Sequence, residues 1–400
     1  MTYDVHKIRS HFPSLNTGLA FFCGPGGSQV PLVVGAAIAH AITKPISNRN
    51  TNTESEKNAE EYVVGFREAV GDLIDVDPRG VVYGRSWTQL TYDFSRTLAK
   101  NWGPGDEVVV SRLDHDSNVR PWIQAAEAVG ATIRWAELDT KTTEISVAAV
   151  EAVLSSKTKL VAITGAGNTI GTRPDLKGIG AAVHKVGALF FVDGVHLTPH
   201  AAISVKDIGA DFFGFSFYKL MGPHCAALAA SPALLETLSN DKLLPATNIV
   251  PERFEFGTLP YELMAGCIAA VNFISEMAPG NGVTRREKIV NSMNALEKYE
   301  DELLEYLESS VASLPGVTLY GKATHRTPTI YFSFAGHDSV DIYKAMALKS
   351  VTLPASNFYA LEVSRALGLG DAGALRAGLA PYSTRDDVDR LIAGLKELTA

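Results

Sequence analysis

Ten polar residues stand at or just beyond the ends of strand-like apolar runs, where a sheet could gather them around one ligand. Arg85 and Ser86 follow GVVYG, Asp114 and His115 follow EVVVSRL, and Asn168 follows KLVAIT. Asp193 and His196 follow ALFFV, and Ser216, Tyr218 and Lys219 close FFGFSFYK. In an α/β sheet, ligands bind outside the carboxyl ends of the strands, so these residues share one edge if the strands are parallel. The set suits an aldehyde cofactor of the pyridoxal phosphate type. Such a group needs a lysine amine for an imine, a carboxylate under the pyridine nitrogen, a flat partner for the ring and a helix N-terminus for the phosphate. Lys219, Asp193 and His115 fill the first three roles, and Ser86, at a helix start, offers its hydroxyl and the amides beyond it to the phosphate. Ser216 converges on the same group, and Asn168 donates to the ring oxygen of the cofactor. Arg376, in LRAGLAPY, has the guanidinium fork that matches a substrate carboxylate. Asn357, in LPASNFYAL, is a further candidate for the substrate pocket.

Each of these residues has a plainer reading by itself. A lysine after an apolar run is ordinarily a solvated strand end, Asp-Gly is a common turn pair, and a lone arginine is often a surface ion pair of little consequence. Three of them at strand ends in the expected order carry the argument. His196 and His200 are four apart, but Pro199 lies between them and no HExxH glutamate is present, so no metal site is expected. GAGNTIG, at 165 to 171, follows a strand and suggests a dinucleotide-binding turn, the basis of a competing nicotinamide oxidoreductase reading. Its third glycine comes one residue late for GxGxxG. A third reading is a non-catalytic scaffold of the same fold.

The elements that position these residues alternate. From about Asp77, strand-like and helix-like pieces succeed one another as in parallel βαβ units: GVVYG, then a helix carrying Leu90, Phe94 and Leu98, then EVVVSRL, SNVRPWIQAAEAVG, ATIRWAEL, VAAVEAVLSS, KLVAIT, DLKGIGAAVHKVG and ALFFVDG. After about Gly280 a long amphipathic helix carries Ile289, Met293, Leu296, Leu303, Leu307 and Val311 on one stripe. VTLYG, TPTIYFSF and the closing helix DDVDRLIAGLKEL follow. The expected fold is α/β, with a large domain (21–275) built on a mostly parallel seven-stranded sheet and a smaller C-terminal α+β domain (276–400). Residues 1–20 are expected to pack on the small domain. The polar stretch 44–61 reads as an exposed loop leading into a helix.

At 400 residues and 46% hydrophobic the chain buries a sizeable core. A net charge of -8 without basic runs argues against nucleic acid, and no apolar stretch reaches the ~18 residues of a membrane span. The N-terminus lacks a secretory pattern, and three dispersed cysteines, Cys23, Cys225 and Cys267, suit a reducing compartment. A cytoplasmic enzyme is expected.

LDHDSNVRPW, GNTIGT, FVDGVHLTPH, SFYKLMGP, RFEFGT and LRAGLAPY, in this order, make the chain resemble the aminotransferase class V, cysteine desulfurase-like group of PLP-dependent enzymes of fold type I, the aspartate aminotransferase-like fold. The resemblance runs from GPGGSQVP to the C-terminal helix. It implies Lys219 as the Schiff-base lysine, Asp193 under the pyridine nitrogen, His115 stacked on the ring and Asn168 at its oxygen. It also implies Thr258, in RFEFGT, as a phosphate ligand reaching in from the other subunit of a homodimer with shared active sites. Desulfurases of this group carry a nucleophilic cysteine shortly before the carboxylate-binding arginine. The corresponding stretch, LPASNFYALEVSRALGLGDAGALR, has none. His196 stands where those enzymes usually have glutamine, and Tyr218 where many have histidine. The resemblance without the thiol implies a branch such as the carbon-sulfur lyases, acting by β-elimination on a cysteine-derived amino acid. Epimerases, decarboxylating deaminases and aminotransferases of the family are the alternatives.

Overall fold

Strands whose side chains alternate between two apolar faces need cover on both, and that requirement organises the molecule. The computed structural model describes residues 3–399. After a two-residue strand, β1 (Ala20–Phe21), come β2 (Val81–Gly84), β3 (Glu107–Ser111), β4 (Thr132–Ala136), β5 (Thr158–Thr164), β6 (Leu189–Asp193), β7 (Phe212–Ser216) and β8 (Ala226–Ala230). They form one sheet in the order β2-β8-β7-β6-β5-β3-β4, parallel throughout except for β8, which runs antiparallel to both neighbours. Val109, Val161, Ile163, Phe190 and Val192 face one core, packed by the helices Glu54–Ile74, Leu176–Lys185 and Tyr261–Ser275. Their chain neighbours Val108, Val110, Leu160, Ala162 and Phe191 face the other, packed by Trp87–Ala99 and Arg120–Val129. A period of two distributed over two covered faces explains why these strands read as continuous apolar runs.

The C-terminal part builds a second sheet. β9 (Val317–Tyr320), β10 (Thr329–Phe334), a short β11 (Val351–Thr352), β12 (Ala355–Ser356) and β13 (Ala374–Gly378) complete the strands. Four of them make an antiparallel sheet in the order β12-β13-β10-β9, while β11 pairs in parallel with β1. Leu303, Leu307, Val311, Phe332, Leu375 and Leu391 form a third core between this sheet and the helices Arg285–Ala312 and Arg385–Leu398. The long helix serves two cores, because its earlier residues Ile289, Met293 and Leu296 belong to the first. The N-terminal segment touches both parts: Tyr3, Ile8, Phe12 and Leu15 pack in the first core, while the Tyr3 hydroxyl donates to the Pro381 carbonyl at 2.7 Å and Arg9 pairs with Asp387 at 2.9 Å.

Two local expectations are corrected and one unexpected strand is added. Residues 54–61 are helix rather than loop, because Thr53 and Glu56 form a reciprocal capping box that starts a 21-residue helix at Glu54. The helix expected over 147–156 ends at Glu151. Strand β8 has no counterpart in the reading of the sequence: AALAA carries little β-propensity, and burial between β2 and β7 decides its state. Among the described residues no helix is long and apolar enough to cross a membrane.

Candidate functional site

Two connected cavities open at the carboxyl ends of the parallel strands, an outer one of about 580 Å³ and an inner chamber of about 90 Å³. Lys219, His115, Asn168 and Tyr218 line both. Lys219 ends a single 3-10 turn, Phe217–Lys219, that follows β7 directly, so a short rigid connection fixes its amine at the sheet edge. The side chain is buried and has no hydrogen-bond or ion-pair partner among the described residues. Burial lowers its pKa to about 8, the nearby Arg376 charge pushes the same way, and Asp193 opposes both.

Asp193, the last residue of β6, is held by two donors: Trp87 Nε1 donates to Oδ2 at 2.7 Å and the Val195 amide to Oδ1 at 2.9 Å. Burial raises its pKa to about 6. The Trp87 ring reaches it only because position 214 is glycine, since a Cβ there would lie 2.0 Å from Trp87 Cζ3. His115 accepts the Ser117 amide on Nδ1 at 3.1 Å, which leaves the proton of the neutral ring on Nε2. Burial, with Lys219 and Arg376 nearby, lowers its pKa to about 3, so the ring is an uncharged flat surface near neutral pH, and Tyr359 stacks on it at 5.4 Å. The preceding Asp114 is buried and structural: Oδ1 accepts from Asn118 at 2.7 Å and Oδ2 from the Ser111 hydroxyl, which pins the loop carrying His115.

Arg376, on β13, ties the second sheet to this edge. Its Nη1 donates to the Asn168 carbonyl at 3.0 Å, and its guanidinium lies 3.7 Å from the centre of the Phe358 ring. Burial lowers its pKa to about 9. The Asn168 amide donates to the Phe358 carbonyl at 2.9 Å. Three buried polar atoms around the chambers have no protein partner: Asn168 Oδ1, His196 Nδ1 and Arg376 Nε. Buried polar atoms are nearly always paired, so together with the partnerless lysine they fit a polar occupant. A group with an aldehyde, a basic ring nitrogen, a ring oxygen and a phosphate matches them: Lys219 would hold the aldehyde carbon and Asp193 the ring nitrogen. Ser86 and Ser216, both on the inner chamber, suit the phosphate, and Ser86 also caps the helix Trp87–Ala99.

Not every expected residue comes together. His196 and Tyr218 line the inner chamber, but the exposed Arg85 lines neither cavity, and Thr258 is also exposed and outside both. Asn357 is turned away. Its amide nitrogen donates to the Asp371 carbonyl at 2.7 Å and its oxygen accepts the Tyr359 amide at 2.9 Å, so it is a turn former with both ends in use, while Ser356, Phe358 and Tyr359 line the outer cavity instead. Trp87, Phe358 and Tyr359 were not singled out from the sequence. Trp87 had a signal, since it directly follows the helix-capping Ser86. No cysteine lines either cavity: Cys225 and Cys267 are buried against each other with their sulfurs 3.2 Å apart, and Cys23 is half-buried beside Thr352.

The chain matches the aminotransferase class-V family model over residues 20–391. It therefore belongs to that family, and it is a pyridoxal phosphate-dependent enzyme of a family that acts on small-molecule amino-acid substrates. An uncharacterized protein of Mycobacterium tuberculosis is 31% identical, with 100% of each chain covered. The aminotransferase-like protein FGM3 of Gibberella zeae is 30% identical over 99% of this chain and 98% of its own, and a probable cysteine desulfurase of Halalkalibacterium halodurans 28% over 98% of each. Among solved structures, the cysteine desulfurase CsdA of Escherichia coli superposes with a TM-score of 0.88 at 23% identity, covering 100% of both chains. A C-DES variant with glycine covalently linked to its PLP cofactor gives 0.82 at 18%, covering 97% of this chain and 99% of that one.

Proposed function

We propose that this enzyme cleaves a carbon–sulfur bond by β-elimination from a cysteine-derived amino acid, without forming a persulfide on itself. The observation that carries the reading is a desulfurase-like pocket whose walls hold no thiol. When bound, pyridoxal phosphate supplies an electron sink for the substrate α-carbon. Lys219 takes the α-proton, the Cβ–S bond breaks with its electron pair going to sulfur, and the sulfur leaves as a thiolate that picks up a proton. For cysteine itself the balance is cysteine plus water giving pyruvate, ammonia and hydrogen sulfide. Asp193 keeps the ring nitrogen protonated, His115 presents its neutral face to the ring, and Arg376 clamps the substrate carboxylate. Holoenzyme incubated with L-cysteine and S-substituted cysteines is expected to release pyruvate and ammonia in equal amounts. Alanine as the product, with a sulfur adduct on the protein by mass spectrometry, or racemisation alone, would overturn the reading.

Arg376→Lys keeps the charge and loses the fork, so kcat/KM for an α-amino acid is expected to fall by roughly 10–100-fold. The loss should be carried mainly by KM and should vanish when the same substrate is offered as its carboxylate-free amine. An equal loss with both substrates would make Arg376 a structural tie only. The homodimer belongs to the same proposal: Leu32, Ile42, Leu244, Ile249 and Phe256 are exposed, and the last of these neighbours Thr258, so a second copy covering them would bring Thr258 toward a shared site. The division into residues 21–275 and 276–400 is proposed from the two separate sheets, and the assignment of 1–20 to the smaller unit from the Tyr3–Pro381 and Arg9–Asp387 contacts, although Tyr3, Ile8, Phe12 and Leu15 also pack in the first core.

A further inference from the structure

One wall of the inner chamber is His196, and its hydrogen bonds decide where its proton sits. Its Nε2 lies 3.0 Å from Thr327 Oγ1 and 3.2 Å from Thr329 Oγ1, and all three residues are buried. The Thr327 hydroxyl has a second neighbour, the Gly171 carbonyl at 3.3 Å, but that carbonyl already accepts the Thr327 amide at 2.8 Å, so the single hydroxyl hydrogen can turn to the nearer Nε2. The Thr329 hydroxyl has no hydrogen-bond partner other than Nε2 among the described residues. If Nε2 carried the ring proton, the Thr329 hydrogen would be buried with no acceptor. Both hydroxyl hydrogens are satisfied only when Nε2 is a lone pair. The neutral ring then carries its proton on Nδ1, the buried atom left without any protein partner.

The charges around the ring favour its neutral form. Burial acts most strongly, the charges of Lys219 and Arg376 act in the same direction, and His200 packs edge-on at 5.3 Å with its own Nδ1 paired to Glu300 on the long helix at 2.8 Å. Asp193 shares the chamber and is taken up by its own donors.

We propose that Thr327 and Thr329 are positioning residues that fix His196 as an Nδ1–H donor to the ring oxygen of the cofactor bound in the inner chamber. The inference rests on the pyridoxal phosphate reading of the site, and it adds residues of the second sheet to the control of the cofactor's protonation. Thr329 opens β10, so the seating of the C-terminal sheet against the site sets the tautomer of a residue in the turn that follows β6. A glutamine at this position always has an amide donor to offer, whereas a histidine offers one only if its tautomer is enforced.

A donor to the ring oxygen stabilises the anion, so the neighbouring proton leaves at lower pH. In reconstituted holoenzyme, Thr329→Val is expected to raise the pH midpoint of the visible absorption band by about 0.5–1 unit, and Thr329→Ser to return it to the wild-type value. Superimposable titrations for wild type and Thr329→Val overturn the proposal. Nitrogen-15 spectra of histidine-labelled wild-type protein supply a second arm that needs neither variant nor cofactor: a proton on Nδ1 supports the assignment and a proton on Nε2 overturns it. A wild-type protein that develops no visible band defeats the cofactor reading instead, and the nitrogen spectra still decide the tautomer.

Discussion

Lys219→Ala is expected to lower turnover by at least about 10³-fold, to abolish the visible absorption of the bound cofactor and to leave the thermal midpoint unchanged or higher. The activity loss combines two roles in one atom, covalent attachment and proton transfer, and general-base catalysis alone contributes roughly 10²–10⁴-fold. Stability moves the other way because the amine has no hydrogen bond or ion pair to lose. Removing an unpaired buried charge relieves desolvation, and the space vacated adjoins the existing cavities. With its pKa lowered to about 8, roughly one amine in ten is free base at pH 7, against about one in three thousand for an unperturbed lysine. Added small amines should restore part of the proton transfer in the alanine variant. Turnover above a tenth of wild type, measured with fully loaded protein, would remove Lys219 from the mechanism.

The residues legible in the sequence were those placed by the chain itself. Lys219, Asp193 and Asn168 each follow directly from an apolar run, and once β5, β6 and β7 are parallel neighbours their ends must share an edge. His115 was legible for the same reason, after β3. What escaped depends on distances the chain does not encode locally. Trp87 meets Asp193 across 106 positions, through a gap that exists because residue 214 lacks a side chain. Phe358 and Tyr359 adopt positive φ of 53° and 61°, a backbone region that apolar and aromatic residues rarely occupy, and their rings reach the site by that unusual turn. Asn357 illustrates the reverse error: an amide in a pocket-forming loop looks like a ligand, yet short polar side chains in turns commonly bond to nearby backbone, and this one does. Thr258 and Arg85 lie outside the cavities of a single chain, and a role for Thr258 requires a second copy. Strand β8 shows the limit of propensity, because four alanines and one leucine take their conformation from the strands on either side.

Asp193→Asn tests the carboxylate separately from its shape. In the native site two N–H groups point at its two oxygens, one from Trp87 and one from Val195. An asparagine has only one oxygen, so its amide must turn a hydrogen toward one of those donors, and a bond is lost in a buried place, at about 1–3 kcal/mol of stability. The chemical loss is larger, because a neutral amide cannot hold a positive charge on the ring nitrogen. A fall in kcat of roughly 10²–10³-fold is expected, comparable to removing one preorganised electrostatic partner in other active sites. The pH dependence tells the two losses apart. The wild-type carboxylate, raised to about 6 by burial, takes up a proton as the pH falls, and a cationic ring beside it pushes that uptake lower still. The wild-type rate should therefore decline on the acid side from no higher than about pH 6, while the asparagine variant, already neutral, lacks that contribution. If the variant keeps the wild-type acid limb and loses only stability, the carboxylate braces Trp87 and Val195 and does not govern the chemistry of the cofactor.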